Sequence, residues 1–396
     1  MNEQTPHIPS GYKPSPLGII PEDWEVKRLG EVCNFLDSQR VPIKDGDRVK
    51  MQGKYPYYGA SGIIDYVNDY LFDDDLILLG EDGANILTRS TPLAFLVSGK
   101  VWVNNHAHVL KTSTNHNRYY ICNYLESLSY DKYNTGTAQP KLNREICENI
   151  PILLPNIYEQ NKIADILQLW DTAIAKQTAL IEQLTLRKRG LMQQLLTGKK
   201  RLKGFEGGWK RIKAGEIFKS ISVKGNGSEV LLSATQEHGV IPRDQLEGRV
   251  TMPTGDTNSF KLVEVGDFVI SLRSFQGGLE YSEHRGIVSP AYTVLKPIVE
   301  IDKSFYRYYF KSAEFIGHLA IAVIGIRDGK QISYEDFCFI KIPYPNIEEQ
   351  KAISTVLLQA DIEIEIQKQK LAAMQEQKKG LMQVLLTGKR RISHER

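Results

Sequence analysis

At 396 residues, 41% hydrophobic and 24% charged, the chain has the composition of an ordinary globular protein, long enough for two to four compact units. No apolar run approaches the ~18 residues a membrane span needs, and the N-terminus lacks the basic-then-apolar layout of an export signal, so a cytoplasmic protein is expected. The net charge of +3 is uneven: residues 1–150 carry −4, 151–203 carry +5, 204–340 carry −1 and 341–396 carry +3, which suits a polyanion partner or, equally, a lysine-rich solvated helix face.

In chain order, residues 1–154 form a first mixed unit. Three prolines between Gly11 and Pro21 make residues 1–21 an extended lead-in, with structure expected from about Trp24. Short β runs bounded by Gly, Asp and Asn follow at 55–67, 76–80, 92–97 and 106–110. An amphipathic helix is expected at 119–130, then a polar loop at 134–141 and a last strand at 150–154. Residues 155–203 read as one long helix. It opens on Pro155-Asn156 with Glu159 in the first turn, and closes on Thr197-Gly198 followed by cations. The proline-free stretch between corresponds to about 60 Å of helix at ~1.5 Å per residue. Residues 204–344 repeat the first unit's order, with strands at 229–232, 268–272 and 292–295, a helix at 305–318, a loop at 325–331 and a closing strand at 339–342. Residues 345–396 form the second long helix and a basic tail.

The two helices are copies of each other. Residues 155–202 and 345–392 align without a gap at an offset of 190, with 21 identities in 48 positions. The block from Trp24 to Val32 is echoed from Trp209 to Ile217, so the mixed units are related too, with interiors that diverged further. The fold class expected is α+β: two pseudo-symmetric mixed α/β domains joined by two long helices that form an antiparallel coiled coil.

The pairing rests on a heptad ladder. One helix offers Ile163, Leu167, Trp170, Ile174, Gln177, Ile181, Leu184, Lys188, Leu191 and Leu195. The other offers Ile353, Leu357, Ala360, Ile364, Gln367, Leu371, Met374, Lys378, Leu381 and Leu385. Spacings of three and four over more than four heptads mark a coiled-coil seam, and polar seam residues fix register and partner. With each helix following its own globular unit, an antiparallel pair is the simplest closed arrangement; parallel packing or pairing between two chains are the others. If the axis falls midway between the polar steps, Gln177 faces Lys378 and Lys188 faces Gln367; otherwise each meets an aliphatic residue. Gly190 and Gly380 lie deep in the helices, where glycine costs ~1 kcal/mol against alanine. Their recurrence suggests close approach of another backbone, here assigned to a partner protein's helix.

Catalytic signatures are missing. There is no phosphate-binding Gly-x-x-x-x-Gly-Lys loop, no amino-methyltransferase tetrapeptide, no His-Glu-x-x-His and no Gly-x-Ser-x-Gly. Four cysteines (Cys33, Cys122, Cys147, Cys338) form no Cys-x-x-Cys pair and are expected as reduced thiols. Glu81-Asp82 and Asp73-Asp74-Asp75 read as solvated turns rather than metal carboxylates, and His106 and His108 as core or DNA-facing histidines rather than ligands. No metal site is expected. A binding function remains. Loop donors suited to base edges and phosphates are Lys54, Tyr57, Tyr58, Ser61, Arg89, Gln139 and Lys141 in the first unit. In the second they are Arg273, Ser274, Gln276, Arg327, Lys330 and Gln331.

Two diverged units alternating with two near-identical helices resemble the specificity (S) subunit of type I restriction–modification systems over nearly the whole chain. The stretches Leu154-Pro155-Asn156-Ile157-Tyr158-Glu159-Gln160 and Tyr344-Pro345-Asn346-Ile347-Glu348-Glu349-Gln350 carry the resemblance. So do the blocks Gly190 to Gly198 and Gly380 to Gly388 (Gly-Leu-Met-Gln-x-Leu-Leu-Thr-Gly). The resemblance implies that each target-recognition domain reads one half of a bipartite double-stranded DNA site and that the helices set the spacer. It implies docking of two modification subunits, which use S-adenosylmethionine, and of two restriction subunits, which use ATP and Mg. No cofactor and no catalysis fall to this chain. The competing readings are the recognition portion of a single-chain restriction enzyme–methylase, against which Met1 runs directly into the lead-in, and a coiled-coil adaptor without DNA contact.

Overall fold

The computed structural model describes residues 8–136, 138–246, 257–322 and 332–392. The chain divides into two compact units, residues 1–177 with 370–396, and residues 178–369. Each unit therefore includes the start of one long helix and the end of the other.

The first unit is built on a six-stranded sheet, in the order Cys33–Phe35, Ala107–Thr112, Phe72–Gly80, Ala94–Val103, Gln52–Gly59, Gly62–Val67. The run Leu76 to Leu79 is fully buried, so Phe72–Gly80 takes the centre, covered on both faces. Ile77 and Leu79 pack towards the helix Arg118–Ser127, while Leu76 and Leu78 face a second cluster with Val97, Val101 and Val109. Asn117 caps that helix by accepting the Tyr120 N–H at 2.9 Å. Strand Pro151–Leu154 returns to pair antiparallel with Glu25–Arg28 and delivers the chain to the first long helix.

The lead-in is extended as expected, but regular structure begins before the expected start near Trp24. Tyr12–Ser15 and Gly18–Pro21 form an antiparallel hairpin, turned at Gly18 with φ 98°. In a two-stranded ribbon both strands are edges, which is where proline is tolerated.

In the second unit, strands Lys210–Lys213 and Lys341–Tyr344 make the equivalent closing pair. A four-stranded sheet has the order Phe218–Ile221, Thr293–Pro297, Phe268–Ile270, Glu280–Tyr281. Its core is aromatic, with Phe218, Phe268, Phe305, Tyr306, Phe310, Phe315 and Phe337 all buried. The helix expected at 305–318 is two helices, Lys303–Tyr309 and Ala313–Ala322. The break follows from Ser312, whose Oγ accepts the Phe315 N–H at 3.3 Å and starts a second helix.

The long helices are Ile157–Leu195 and Ile347–Leu385, each 39 residues. Asn156 and Asn346 cap them through the Glu159 and Glu349 N–H groups at 2.9 and 2.8 Å. Gly198 and Gly388, at φ 72° and 69°, end the following turns. In the first unit Glu159 meets Arg391 and Asp171 meets Lys378; in the second Lys188 meets Asp361 and Arg201 meets Glu349. Partner numbers descend as the chain ascends, so the helix segments run antiparallel within each unit.

Candidate nucleic-acid interface

In the first unit three segments converge where the central strand Phe72–Gly80 ends: the hairpin tip at Ala60-Ser61, the Glu81-Asp82 turn and the loop residues 134–136 and 138–141. A Cβ on Gly80 would lie 2.8 Å from the Ala60 carbonyl, so only glycine lets the hairpin tip close on the strand end. Gly83 N–H donates to the Pro140 carbonyl at 3.0 Å and Leu142 N–H to the Glu81 carbonyl at 2.7 Å. Ser61, Gln139 and Lys141 stand exposed on this surface.

Beneath it lies His108, 1% exposed. Its Nδ1 is 2.7 Å from the Asp37 carboxylate and its Nε2 2.8 Å from the Leu142 carbonyl. Both neighbours are acceptors, so both ring nitrogens carry protons and the ring is an imidazolium. Burial is the largest influence and opposes that charge, but the bonds and negative charge supplied by Asp37 and Cys147 together outweigh it and hold the pKa up at about 10. Asp37 is held low in turn by the same contact against its own burial. Arg40 donates to Glu81 and to the Ala107 carbonyl, both at 2.7 Å, and Glu81 takes Lys141 at 3.4 Å. The network fastens the polar loop to the sheet. His106 lies in the turn before strand Ala107–Thr112 and bonds Asp82 at 2.8 Å, so the two histidines serve different carboxylates and form no ligand pair.

The other first-unit candidates divide. Lys54 is exposed, 5.2 Å from the Tyr55 ring centroid. Tyr58 is half-buried, 6.0 Å from Phe95. Tyr57 corrects the expectation: it is 1% exposed and its hydroxyl accepts the Ile43 N–H at 3.1 Å. Arg89 is likewise structural, in an ion pair with Glu126 at 2.8 Å and over the Tyr130 ring.

In the second unit the equivalent place is the tip Gln236-Glu237-His238 of the hairpin Leu232–Thr235/Gly239–Pro242, beside the turn 271–276. Between them is an open cleft of about 510 Å³ lined by Thr235, Gln236, Glu237, His238, Arg273 and Tyr292 among others. Lys311 holds its wall: Nζ donates to the Gln236 carbonyl at 3.2 Å, the Gly277 carbonyl at 3.0 Å and the buried Glu280 carboxylate at 2.6 Å. Burial pushes the Glu280 pKa up while Lys311 pulls it back. Arg273 and Gln276 are exposed at the rim. Ser274 is a second correction: 1% exposed, its Oγ accepts the Ser271 N–H at 2.8 Å and shapes the turn. Arg327, Lys330 and Gln331 lie outside the described residues. Gln236, His238 and Lys311 were not singled out from sequence; the Gln-Glu-His-Gly turn between two β-type runs was the signal available.

The helix ends carry a repeated clamp. Glu159, 3% exposed, accepts the Trp24 indole N–H at 3.1 Å and two bonds from Arg391 at 2.9 Å. Glu349, fully buried, accepts Trp209 at 2.9 Å and Arg201 at 2.5 and 2.7 Å. Two arginines of the basic segments are thus internal rather than free for a polyanion.

Along the seam Ile163, Leu167, Ile353, Leu357 and Ile364 are buried, Trp170 and Ile174 half-buried, Gln177 buried and Gln367 half-buried. The seam lysines correct the register expectation. Lys378 pairs with Asp171 at 2.6 Å, and Lys188 with Asp361, each carboxylate six residues before the glutamine expected there. Tyr119 and Tyr308 donate to the same two aspartates. A lysine long enough to leave the seam finds a flanking carboxylate instead of an amide or aliphatic neighbour. Gly190 and Gly380 face open space: a Cβ there would meet nothing within 4 Å, so no described part of this chain packs on them.

Among the described residues, no helix is long and apolar enough to cross a membrane. The family model described as "Type I restriction modification DNA specificity domain" matches residues 21–186 and 206–376. The MjaVIII type I restriction enzyme specificity subunit of Methanocaldococcus jannaschii is 28% identical across 95% of both chains. A putative specificity subunit of Haemophilus influenzae is 35% identical over 36% of each chain. In fold, the S subunit of a type I restriction–modification system from M. genitalium superposes with a TM-score of 0.56 at 16% identity, covering 92% of this chain and 96% of that one.

Proposed function

From the chain's membership of the type I restriction–modification DNA specificity family, we propose that it reads DNA without catalysing anything itself, each unit taking one half of a bipartite duplex site. The observation that carries this is the contrast between frame and rim. Trp24/Trp209, Glu159/Glu349, Arg391/Arg201, Asp171/Asp361, Lys378/Lys188 and Tyr119/Tyr308 make the same contacts in both units. The rims differ: Ala60-Ser61 and Glu81-Asp82 in one, Gln236-Glu237-His238 and Leu272-Arg273 in the other. A duplicated frame presenting unlike donor and acceptor sets suits two unlike half-sites.

In this reading the long helices set the non-specific spacer and offer their open faces, including Gly190 and Gly380, to two modification subunits. S-adenosylmethionine belongs to those subunits, and ATP with Mg to two restriction subunits. Many phosphate contacts then come from partners, which fits recognition domains that carry no basic excess, −4 over residues 1–150 and −1 over 204–340. Titrating the full chain with its modification subunit against random duplexes, and mapping the methylated bases, tests it. A single bipartite motif supports the reading; methylation without sequence preference, or none, supports an adaptor instead.

A further inference from the structure

The second unit's described arginines are mostly neutralised. Arg211 is paired with Glu314 at 2.5 Å, Arg307 with Glu283 at 2.5 Å, and Arg285 with Glu264 and Glu229 at 2.7 and 3.0 Å. Arg273 differs from these three: its guanidinium has no carboxylate or carbonyl partner among the described residues, and it is exposed at the rim of the polar cleft.

Its backbone, by contrast, is held from several sides. Arg273 N–H donates to Ser271 Oγ at 3.3 Å, Ser271 N–H to Ser274 Oγ at 2.8 Å, and Gln276 N–H to the Arg273 carbonyl at 2.9 Å. Ser271 and Ser274 are both buried, so the turn is set before any ligand arrives. The facing wall, Gln236, is set by Lys311. An unpaired guanidinium whose backbone anchor is fixed is a donor aimed from a set point, and its planar fork fits guanine O6 and N7 or a phosphate.

Glu237 decides between those two. It lines the same cleft with its carboxylate exposed. A carboxylate at the rim repels a phosphate, whereas the cytosine paired to a guanine presents an N4 donor that a carboxylate accepts. The first unit offers the opposite chemistry at its strand end, Glu81 and Asp82, the former already engaged by Arg40 and Lys141 and the latter hydrogen-bonded to His106.

We propose that Arg273 is a specificity-determining residue that reads a guanine in the half-site taken by the second unit, through bidentate bonds from the cleft between the Gln236–His238 tip and the 271–276 turn. The inference rests on the DNA-reading function above and adds the base and the residue.

The test uses the full chain assembled with its modification subunit, as wild type, Arg273→Ala and Arg273→Lys, methylating a randomised duplex pool. Both variants are expected to lose discrimination at one guanine of one half-site by on the order of 10- to 100-fold, with the other half-site unchanged. Lysine keeps the charge but not the fork, so its failure to rescue separates base reading from charge attraction. An unchanged consensus with Arg273→Ala overturns the inference while leaving the bipartite reading intact. So does uniformly weaker methylation of all sequences that Arg273→Lys restores, which marks a phosphate contact. A wild-type complex with no bipartite motif overturns the reading itself and this inference with it.

Discussion

His108 is a buried cation between two oxygens, and its consequences can be measured. Its pKa is raised to about 10 in the folded chain, against ~6.5 for a free histidine. A raised folded pKa means the stabilisation is complete below about pH 6.5 and is lost as pH climbs towards 10. Replacing His108 with Gln is expected to destabilise the first unit by on the order of 2 kcal/mol near neutrality, the scale of a hydrogen bond to a charged group. The melting-temperature gap between wild type and variant should shrink from pH 6 to pH 10; a gap that widens with pH would show that the ring is neutral. Glu349 makes a second residue-scale case, since its carboxylate is wholly buried against Arg201 and Trp209. Removing one partner of a buried ion pair costs ~3–5 kcal/mol. Glu349→Gln should therefore raise hydrogen exchange in residues 178–369 first, whereas equal loss across both units would contradict a local clamp. Neither cluster could be read from sequence, because Asp37, His108 and Leu142 meet only through the sheet, and Glu349 and Arg201 are 148 residues apart.

At the scale of elements, the long helices were the most legible part of the chain. Proline-free heptads, Asn caps and Thr-Gly stops are local signals, and the ladder residues Ile163, Leu167, Ile353 and Leu357 are buried as the spacing predicts. What the ladder did not reveal is the partner of each seam lysine. Asp171 and Asp361 look like solvent-facing positions until Lys378, Lys188 and the two tyrosines reach them. The rim was half legible: of the residues that loop composition singled out, Ser61, Gln139, Lys141, Arg273 and Gln276 are exposed, but composition could not tell an exposed donor from Tyr57 or Ser274, whose burial depends on non-local packing. The helix glycines give a further test. Since a Cβ at Gly190 or Gly380 meets nothing within 4 Å, the double Ala variant should gain about 1 kcal/mol per site in the chain alone. Calorimetry of the free chain checks this. Weaker binding of the modification subunit by the same variant would place that partner on the glycine face, and unchanged binding would remove it from there.

At the level of the whole molecule, the chain is one frame used twice, and the proposed function resides in what differs between the copies. Lengthening one long helix by whole turns is accordingly expected to alter only the spacer of the recognised motif; half-sites that change while the spacer holds would refute the spacer role. The most direct test of the central claim is genome-wide mapping of methylated adenines in cells carrying the wild-type chain or a variant with Gln236, Glu237, His238, Arg273 and Gln276 all replaced by alanine. The expected result is a bipartite wild-type motif of which one half becomes degenerate in the variant while the other half stays intact. If both halves change together, or neither does, the two units do not read the DNA separately and the claim fails.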